Sequence, residues 1–281
     1  MTLGALLDTI TEQLASVGIA SPRVDAEWLL AHVLCCARVD LHLRGQELLN
    51  AATVERTHVL VQRRLAREPL QYILGTQSFW GREFVVNPSV LIPRPETEEL
   101  VAWMIETLSA AAQHILDVGT GSGCIGITLA CERAHDRIVL LDQSAAALQV
   151  AQENISRHGV AERVQCVAGD LWSADDGVFD VIVSNPPYCD PRDWSALQPE
   201  VRDFEPQNAI VAEAAGLAVL QRIIAESPQY LRAGGLIFLE CGQGQDEQIV
   251  ALLHATGAYS AIEVRCDVHG VRRMCRAMMR S

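Results

Sequence analysis

The residues best equipped for chemistry are Ser184-Asn185-Pro186-Pro187-Tyr188, which directly follow an apolar run, Phe179–Ser184, that reads as a strand. Consecutive prolines fix φ and remove two N–H donors. The loop therefore presents acceptors, the Asn185 side-chain oxygen and the Pro186 carbonyl. An amide or exocyclic amino nitrogen is a poor nucleophile because its lone pair is delocalised. Two acceptors holding its two N–H groups orient the nitrogen and favour lone-pair density towards an incoming methyl group. Positioning and electrostatics would carry such a transfer, with no covalent enzyme intermediate. Tyr188 offers a flat face to a planar amide or base. The competing reading is a plain turn, which Asn-Pro often starts.

A second set of residues lies upstream. Ile115-Leu116-Asp117-Val118-Gly119-Thr120-Gly121-Ser122-Gly123 runs from a strand into a helix, and Asp142 ends the next strand. Glycines permit a tight turn and close approach of a ligand, and a carboxylate at Asp142 can accept two ribose hydroxyls. Gly121, Gly123 and Gly126 also satisfy the dinucleotide fingerprint. The acid two residues before the first glycine, Asp117, instead fits the methyltransferase register. No arginine lies between Gly119 and Ala130, and Asp117 and Asp142 are both negative, which suits a sulfonium such as S-adenosylmethionine. After the third strand, Asp170 is placed to hydrogen-bond an adenine amino group and Leu171 to pack on the ring. A strand-end turn acid is the alternative for Asp170.

These loops need a frame, and the pattern from about residue 113 supplies one. Strands are expected at His114–Val118, Arg137–Asp142, Arg163–Ala168, Phe179–Ser184, Leu236–Cys241, Tyr259–Cys266 and near Arg272–Met278. Helices are expected at Cys124–Arg133, Ala145–His158, Leu217–Leu231 and Gln245–Thr256. The alternation implies an α/β fold, a Rossmann-like and mostly parallel sheet of about seven strands. Ligands of such sheets bind beyond the carboxyl ends of the strands, so both loops share one edge. Residues 1–75 read as a small all-helical domain. Ser21-Pro22 looks like a helix N-cap and first position, and a helix is expected over Thr53–Arg67. Arg56, Arg63, Arg64 and Arg67 would form a solvated face or meet a partner. Residues 76–90 read as a linking hairpin with its turn at Gly81, and 91–281 as the catalytic domain, opened by Pro93-Arg94-Pro95 and the acidic helix start Glu96, Glu98 and Glu99.

Composition excludes several chemistries. All 22 basic residues are arginine, so a lysine Schiff base, a lysine general base and a lysine-containing phosphate loop are impossible. The net charge of −13 sits almost wholly after residue 75, which disfavours broad binding to nucleic acid. Nine cysteines without a C-x-x-C pair read as reduced thiols; Cys124 and Cys189, near the presumed pocket, read as small buried hydrophobes. The histidines show no metal-ligand spacing, so no metal is expected. No apolar run spans a membrane and Met1–Ile10 does not read as a signal peptide, so a cytoplasmic location is expected.

Over nearly its whole length the chain resembles the HemK/PrmC family of release factor glutamine methyltransferases. The likeness rests on the helical N-terminal domain, Phe79-Trp80-Gly81, Leu91-Ile92-Pro93-Arg94-Pro95-Glu96-Thr97-Glu98, the glycine loop, Asn185–Tyr188, Arg232-Ala233-Gly234-Gly235 and Leu239-Glu240-Cys241-Gly242. Asn-Pro-Pro-Tyr alone is shared with DNA adenine methyltransferases. By resemblance, Asp117, Gly119, Thr120, Gly121, Ser122, Gly123, Asp142, Asp170 or Leu171, and Asn185 would hold S-adenosylmethionine. Asn185, Pro186 and Tyr188 would be catalytic. Together with Pro187, they would hold the glutamine of the Gly-Gly-Gln motif in a class-1 peptide chain release factor, with Phe79 and Arg94 lining the site. The N-terminal domain would recognise that substrate. Two departures stand out: Ala212-Glu213-Ala214-Ala215-Gly216 where relatives often carry a glycine pair, and Cys189 in place of a branched aliphatic. The alternatives are a DNA adenine methyltransferase, a non-catalytic cofactor-binding interaction protein and, more remotely, a nicotinamide oxidoreductase.

Overall fold

The computed structural model describes residues 1–172 and 177–281. Two compact units emerge, one of residues 1–75 with 198–204 and one of residues 76–197 with 205–281. No helix among the described residues is long and apolar enough to cross a membrane.

The first unit is helical: α1 (Leu3–Ser16), α2 (Pro22–Leu34), α3 (Ala51–Leu65) and the short α4 (Leu70–Leu74) close on a core containing Leu6, Ile10, Leu29, Leu30 and Val61. Thr2 and Asn50 cap α1 and α3 by accepting from Ala5 and Thr53 N–H groups. Ser21 stands before Pro22 as expected, but its side chain makes no capping bond. The arginines of α3 and of the turn after it are largely not a solvated face. Arg64 is 6% exposed and donates to Asp25 at 2.7 Å and to Glu200 at 3.1 Å; Arg67 reaches the other Glu200 oxygen at 2.7 Å. Arg63 pairs with Glu68 from a side chain 40% exposed, and Arg56 keeps to the surface. Buried carboxylates account for them, because a guanidinium fork satisfies several at once.

The second unit opens with the hairpin β1 (Thr76–Phe79) and β2 (Arg82–Val85). Its two-residue turn, Trp80-Gly81, has φ of 53° and 69°, the double left-handed geometry that matches strand twist. Helix α5 (Pro95–Thr107) follows, and Glu98 ties it back to the hairpin by accepting from Trp80 N–H at 3.0 Å. Then come β3 (His114–Val118), α6 (Cys124–Glu132), β4 (Arg137–Asp142), α7 (Ala145–His158), β5 (Val164–Ala168) and β6 (Phe179–Ser184). The short α8 (Pro199–Phe204) carries Glu200 in the first unit; α9 (Ala218–Glu226), β7 (Leu231–Glu240), α10 (Asp246–Ala255), β8 (Tyr259–Cys266) and β9 (Arg272–Met279) complete the second.

The seven strands order as β5-β4-β3-β6-β7-β9-β8, with β9 antiparallel to both neighbours and the other pairings parallel. This is the methyltransferase-type, Rossmann-like sheet expected. Period-two alternation builds two apolar layers. Ile115, Ile138, Leu140, Val181, Val183 and Phe238 face one, with α5, α6 and α7 residues. Leu116, Val139, Leu141, Ile182, Ile237 and Leu239 face the other, with α9 and α10 residues. Two boundaries differ from expectation by more than two residues. Helix α9 stops at Glu226 rather than Leu231, because Pro228 disfavours helix at Ser227 and leaves a 3₁₀ turn. Strand β7 starts at Leu231, and a register shift over its first residues absorbs Ala233–Gly235.

Candidate active site

Strand order turns outward in two directions from β3 and β6, so the loops after these neighbours flank the switch point of the sheet. Val118 and Ser184 are paired in register, and the Ser184 hydroxyl donates to the Val118 carbonyl at 2.7 Å. The glycine loop and the Asn-Pro-Pro-Tyr loop thus leave the sheet from one pinned point. Asn154, fully buried on α7, secures the first loop: its Nδ2 donates to Ser122 O at 2.9 Å and to Val85 O of the hairpin at 3.0 Å.

The glycine loop is closed on itself. Gly119, Gly121 and Gly123 all take left-handed φ. Gly119 and Thr120 N–H donate to Leu141 O at 2.8 and 3.0 Å, Gly121 N–H to Asp142 Oδ2 at 2.9 Å, and Gly123 N–H to Thr120 O at 2.9 Å. These four amides are spent and are not offered to a pyrophosphate. Asp142 accepts a further bond from Ser144 N–H at 2.9 Å and keeps lone pairs directed elsewhere.

A cavity of about 420 Å³ opens over this edge, within the range of small-molecule sites. Its wall includes Gly119, Thr120, Gly121, Ser122, Asp142, Asp170, Leu171, Asn185, Pro186, Pro187 and Arg94. Four expected residues are not brought there. Asp117 is fully buried beneath the loop, accepting from Thr120 Oγ1 at 2.7 Å and Gly126 N–H at 3.1 Å, and burial pushes its carboxyl up to about 6. It shapes the loop from below. Phe79 is 1% exposed and packs edge-on against Phe84, since a hairpin this short needs its aromatic to anchor it in the core. Tyr188 turns its ring into the second apolar layer and its hydroxyl towards Glu240, at 3.4 Å. Gly123 caps α6 and also stands off the wall.

Two arginines among the described residues line the cavity, both neutralised. Arg94 donates to Glu205 at 2.6 Å, and Arg222 to both Asp170 oxygens at 3.1 and 3.2 Å. With Asp170 so engaged, Leu171, held at φ 68°, is the better-placed contact at that end. Cys124 lines the wall, but burial pushes its thiol up to about 12, in keeping with an inert role; Cys189 is not in the wall. In the 212–216 loop, Ala214, Ala215 and Gly216 all take left-handed φ, of 55°, 57° and 82°. A Cβ on Gly216 would stand 2.0 Å from Tyr188 O, so this position must be glycine.

Several participants escaped the sequence reading. Gln245 clamps three loops, donating to Tyr188 O at 2.9 Å and Ala215 O at 3.2 Å and accepting from Gly242 N–H at 2.8 Å. Thr97 and Glu240 stand behind Asn185: Asn185 Nδ2 donates to Thr97 Oγ1 at 3.0 Å, and that hydroxyl donates to Glu240 Oε2 at 2.7 Å. Both lie inside stretches that carried the family likeness, which was the signal available for them.

Residues 5–75 match the PrmC N-terminal domain family and residues 98–198 the Methyltransferase small domain family. A release factor glutamine methyltransferase of Nitratidesulfovibrio vulgaris is 41% identical over 276 residues, covering 97% of this chain and 93% of its own. Its namesake from Geobacter sulfurreducens is 41% identical over 274 residues, covering 97% and 95%. Among solved structures, a methyltransferase from Pyrococcus furiosus superposes with a TM-score of 0.54 at 17% identity, covering 81% of this chain and 98% of its own. The hMettl16 catalytic domain gives 0.58 at 15% identity, covering 81% and 82%. At these identities the two structures bear on fold alone.

Proposed function

The chain belongs to the release factor glutamine methyltransferase family, and on that premise we propose that it methylates the side-chain amide nitrogen of the glutamine in the Gly-Gly-Gln motif of class-1 peptide chain release factors, with S-adenosylmethionine as donor. The observation that carries the site assignment is the juxtaposition, across one cavity, of Asp142 with an Asn185 whose Nδ2 donates to Thr97. The Asn185 Oδ1 and the Pro186 carbonyl are then the acceptors for the two N–H groups of the target amide. They fix its plane and favour density on its nitrogen.

The cavity's chemistry suits the donor. S-adenosylmethionine, when bound, supplies an electrophilic methyl group on a sulfonium. Asp142 offers carboxylate oxygens to a ribose, Leu171 an apolar face to a purine, and the glycine loop an uncharged surface whose Gly119, Thr120, Gly121 and Gly123 amides are already engaged. Both arginines of the wall carry carboxylate partners, so a cation meets no uncompensated positive charge. Pro186 and Pro187 keep competing N–H donors away from the acceptor side. The helical unit, residues 1–75 with 198–204, is assigned the recognition of the protein substrate beyond its glutamine.

The test is labelled-methyl transfer to a class-1 release factor, with its Gly-Gly-Gln glutamine replaced as control and duplex DNA as a competing acceptor. Wild type should label the intact factor alone. Asn185→Ala should lose ~10²–10³-fold in kcat, the scale of removing one preorganised electrostatic group, while retaining calorimetric binding of S-adenosylmethionine. Unchanged turnover in that variant removes Asn185 from the mechanism, and labelling of DNA in place of the factor overturns the substrate.

A further inference from the structure

Glu240 is a buried carboxyl group with no part in the reaction as drawn, yet the hydrogen-bond chain from Asn185 ends on it. Thr97 is 2% exposed and Glu240 1%. While Glu240 is ionised, the direction of donation along this chain is forced. A carboxylate only accepts, so the single hydroxyl hydrogen of Thr97 goes to Glu240 Oε2, at 2.7 Å. The threonine oxygen then has only lone pairs left, and the Asn185 amide can meet it only with its NH₂ end, at 3.0 Å. The opposite flip would set oxygen against oxygen. Asn185 therefore keeps its carbonyl oxygen as the unspent end, on a residue of the cavity wall.

We propose that Thr97 and Glu240 are positioning residues of the transfer reaction, and that together they dictate which end of the Asn185 amide is presented to the target nitrogen. The inference rests on the reading above, in which Asn185 Oδ1 accepts from the substrate amide. An NH₂ end presented there would set N–H against N–H and leave the target nitrogen unheld.

The surroundings of Glu240 give the chain a second property. Burial pushes its carboxyl up to about 7; Glu96 on α5 adds to this, while Thr97, Arg273 on β9 and the Tyr188 hydroxyl oppose it. The Cys124 thiol on α6 also feels its charge. Once protonated, Glu240 donates to Thr97, whose own hydrogen is released towards Asn185, and the forced orientation is lost. Transfer should weaken as pH falls through about 7.

The experiment uses the full chain and a release factor in steady-state methyl transfer. Thr97→Val keeps the shape and removes the hydroxyl; Thr97→Ser restores it. Thr97→Val should lose at least ~30-fold in kcat, as expected for a misaligned acceptor, with KM for the release factor within ~3-fold of wild type. Thr97→Ser should recover to within ~3-fold of wild-type kcat. Wild-type kcat in Thr97→Val, or equal losses in both variants, overturns the proposal. Should Thr97→Val fail to fold, Glu240→Gln decides: it keeps an acceptor for Thr97 without titrating, so its kcat should lose the fall below pH 7, and a profile identical to wild type overturns the proposal. A wild-type protein that transfers no methyl to the release factor would instead refute the function itself.

Discussion

Replacing Glu240 by glutamine should stabilise the protein in alkaline solution and do little in acid. The carboxyl lies 1% exposed at the end of β7, and burial is the largest reason its pKa rises from 4.5 to about 7. The folded value lies above the unfolded one, so the native state keeps a proton that the unfolded chain has already given up. The stability tied to that proton is complete below about pH 4.5 and is lost as pH rises through about 7. At ~1.4 kcal/mol per tenfold change, carrying the charge costs the native state about 3 kcal/mol at pH 8. Glutamine has the same shape, an oxygen for Thr97 and an NH₂ for Tyr188, and no charge to bury. The stability gap between Glu240→Gln and wild type should therefore move by ~2–3 kcal/mol in favour of the variant between pH 5 and pH 8. Asp117, also raised, to about 6, is common to both proteins and cancels. Urea midpoints at the two pH values, followed by the fluorescence of the buried Trp103, measure the gap. A gap equal at both values, or one moving the other way, would refute the claim that Glu240 ionises at a cost within the fold.

Two further outcomes concern stability. Arg64→Ala strips the partner from Asp25 and one partner from Glu200, so the helical unit should lose ~3–5 kcal/mol, and Arg64→Lys should not recover it because one ammonium cannot span both carboxylates; a thermal midpoint within ~2 °C of wild type would contradict this. Ala215→Gly relieves an exposed left-handed residue at φ 57° and should gain ~1 kcal/mol in denaturant unfolding, whereas a loss would mean that the loop does not hold that conformation.

The parallel strands were legible because each is a short apolar run closed by a turn signal, and both site loops follow such runs directly. What escaped depends on pairings remote in sequence. Thr97 and Glu240 sit 143 positions apart and Arg64 and Glu200 136, and no local pattern marks a threonine as the partner of one particular glutamate. Phe79 and Tyr188 lie off the wall for a related reason. An aromatic beside a site motif suggests a wall, but the decision between wall and core is made by packing, and both rings had apolar layers to fill. The end of α9 is itself written in the sequence, in Pro228 after Ser227.

The strand order gives the edge a metric. Neighbouring strands stand ~4.8 Å apart, so the ends of β5, β4, β3 and β6 mark off a ruler ~14 Å long, graduated by Leu171, Asp142, the glycine loop and Asn185 in turn. On the proposed reading, an extended ligand laid along it is read by position, one chemical group per graduation. Because each mark hangs from its own strand, altering the loop at one end redraws that graduation and leaves the others in place. A sheet of this kind can exchange the molecule it modifies without recalibrating its grip on the molecule that modifies it.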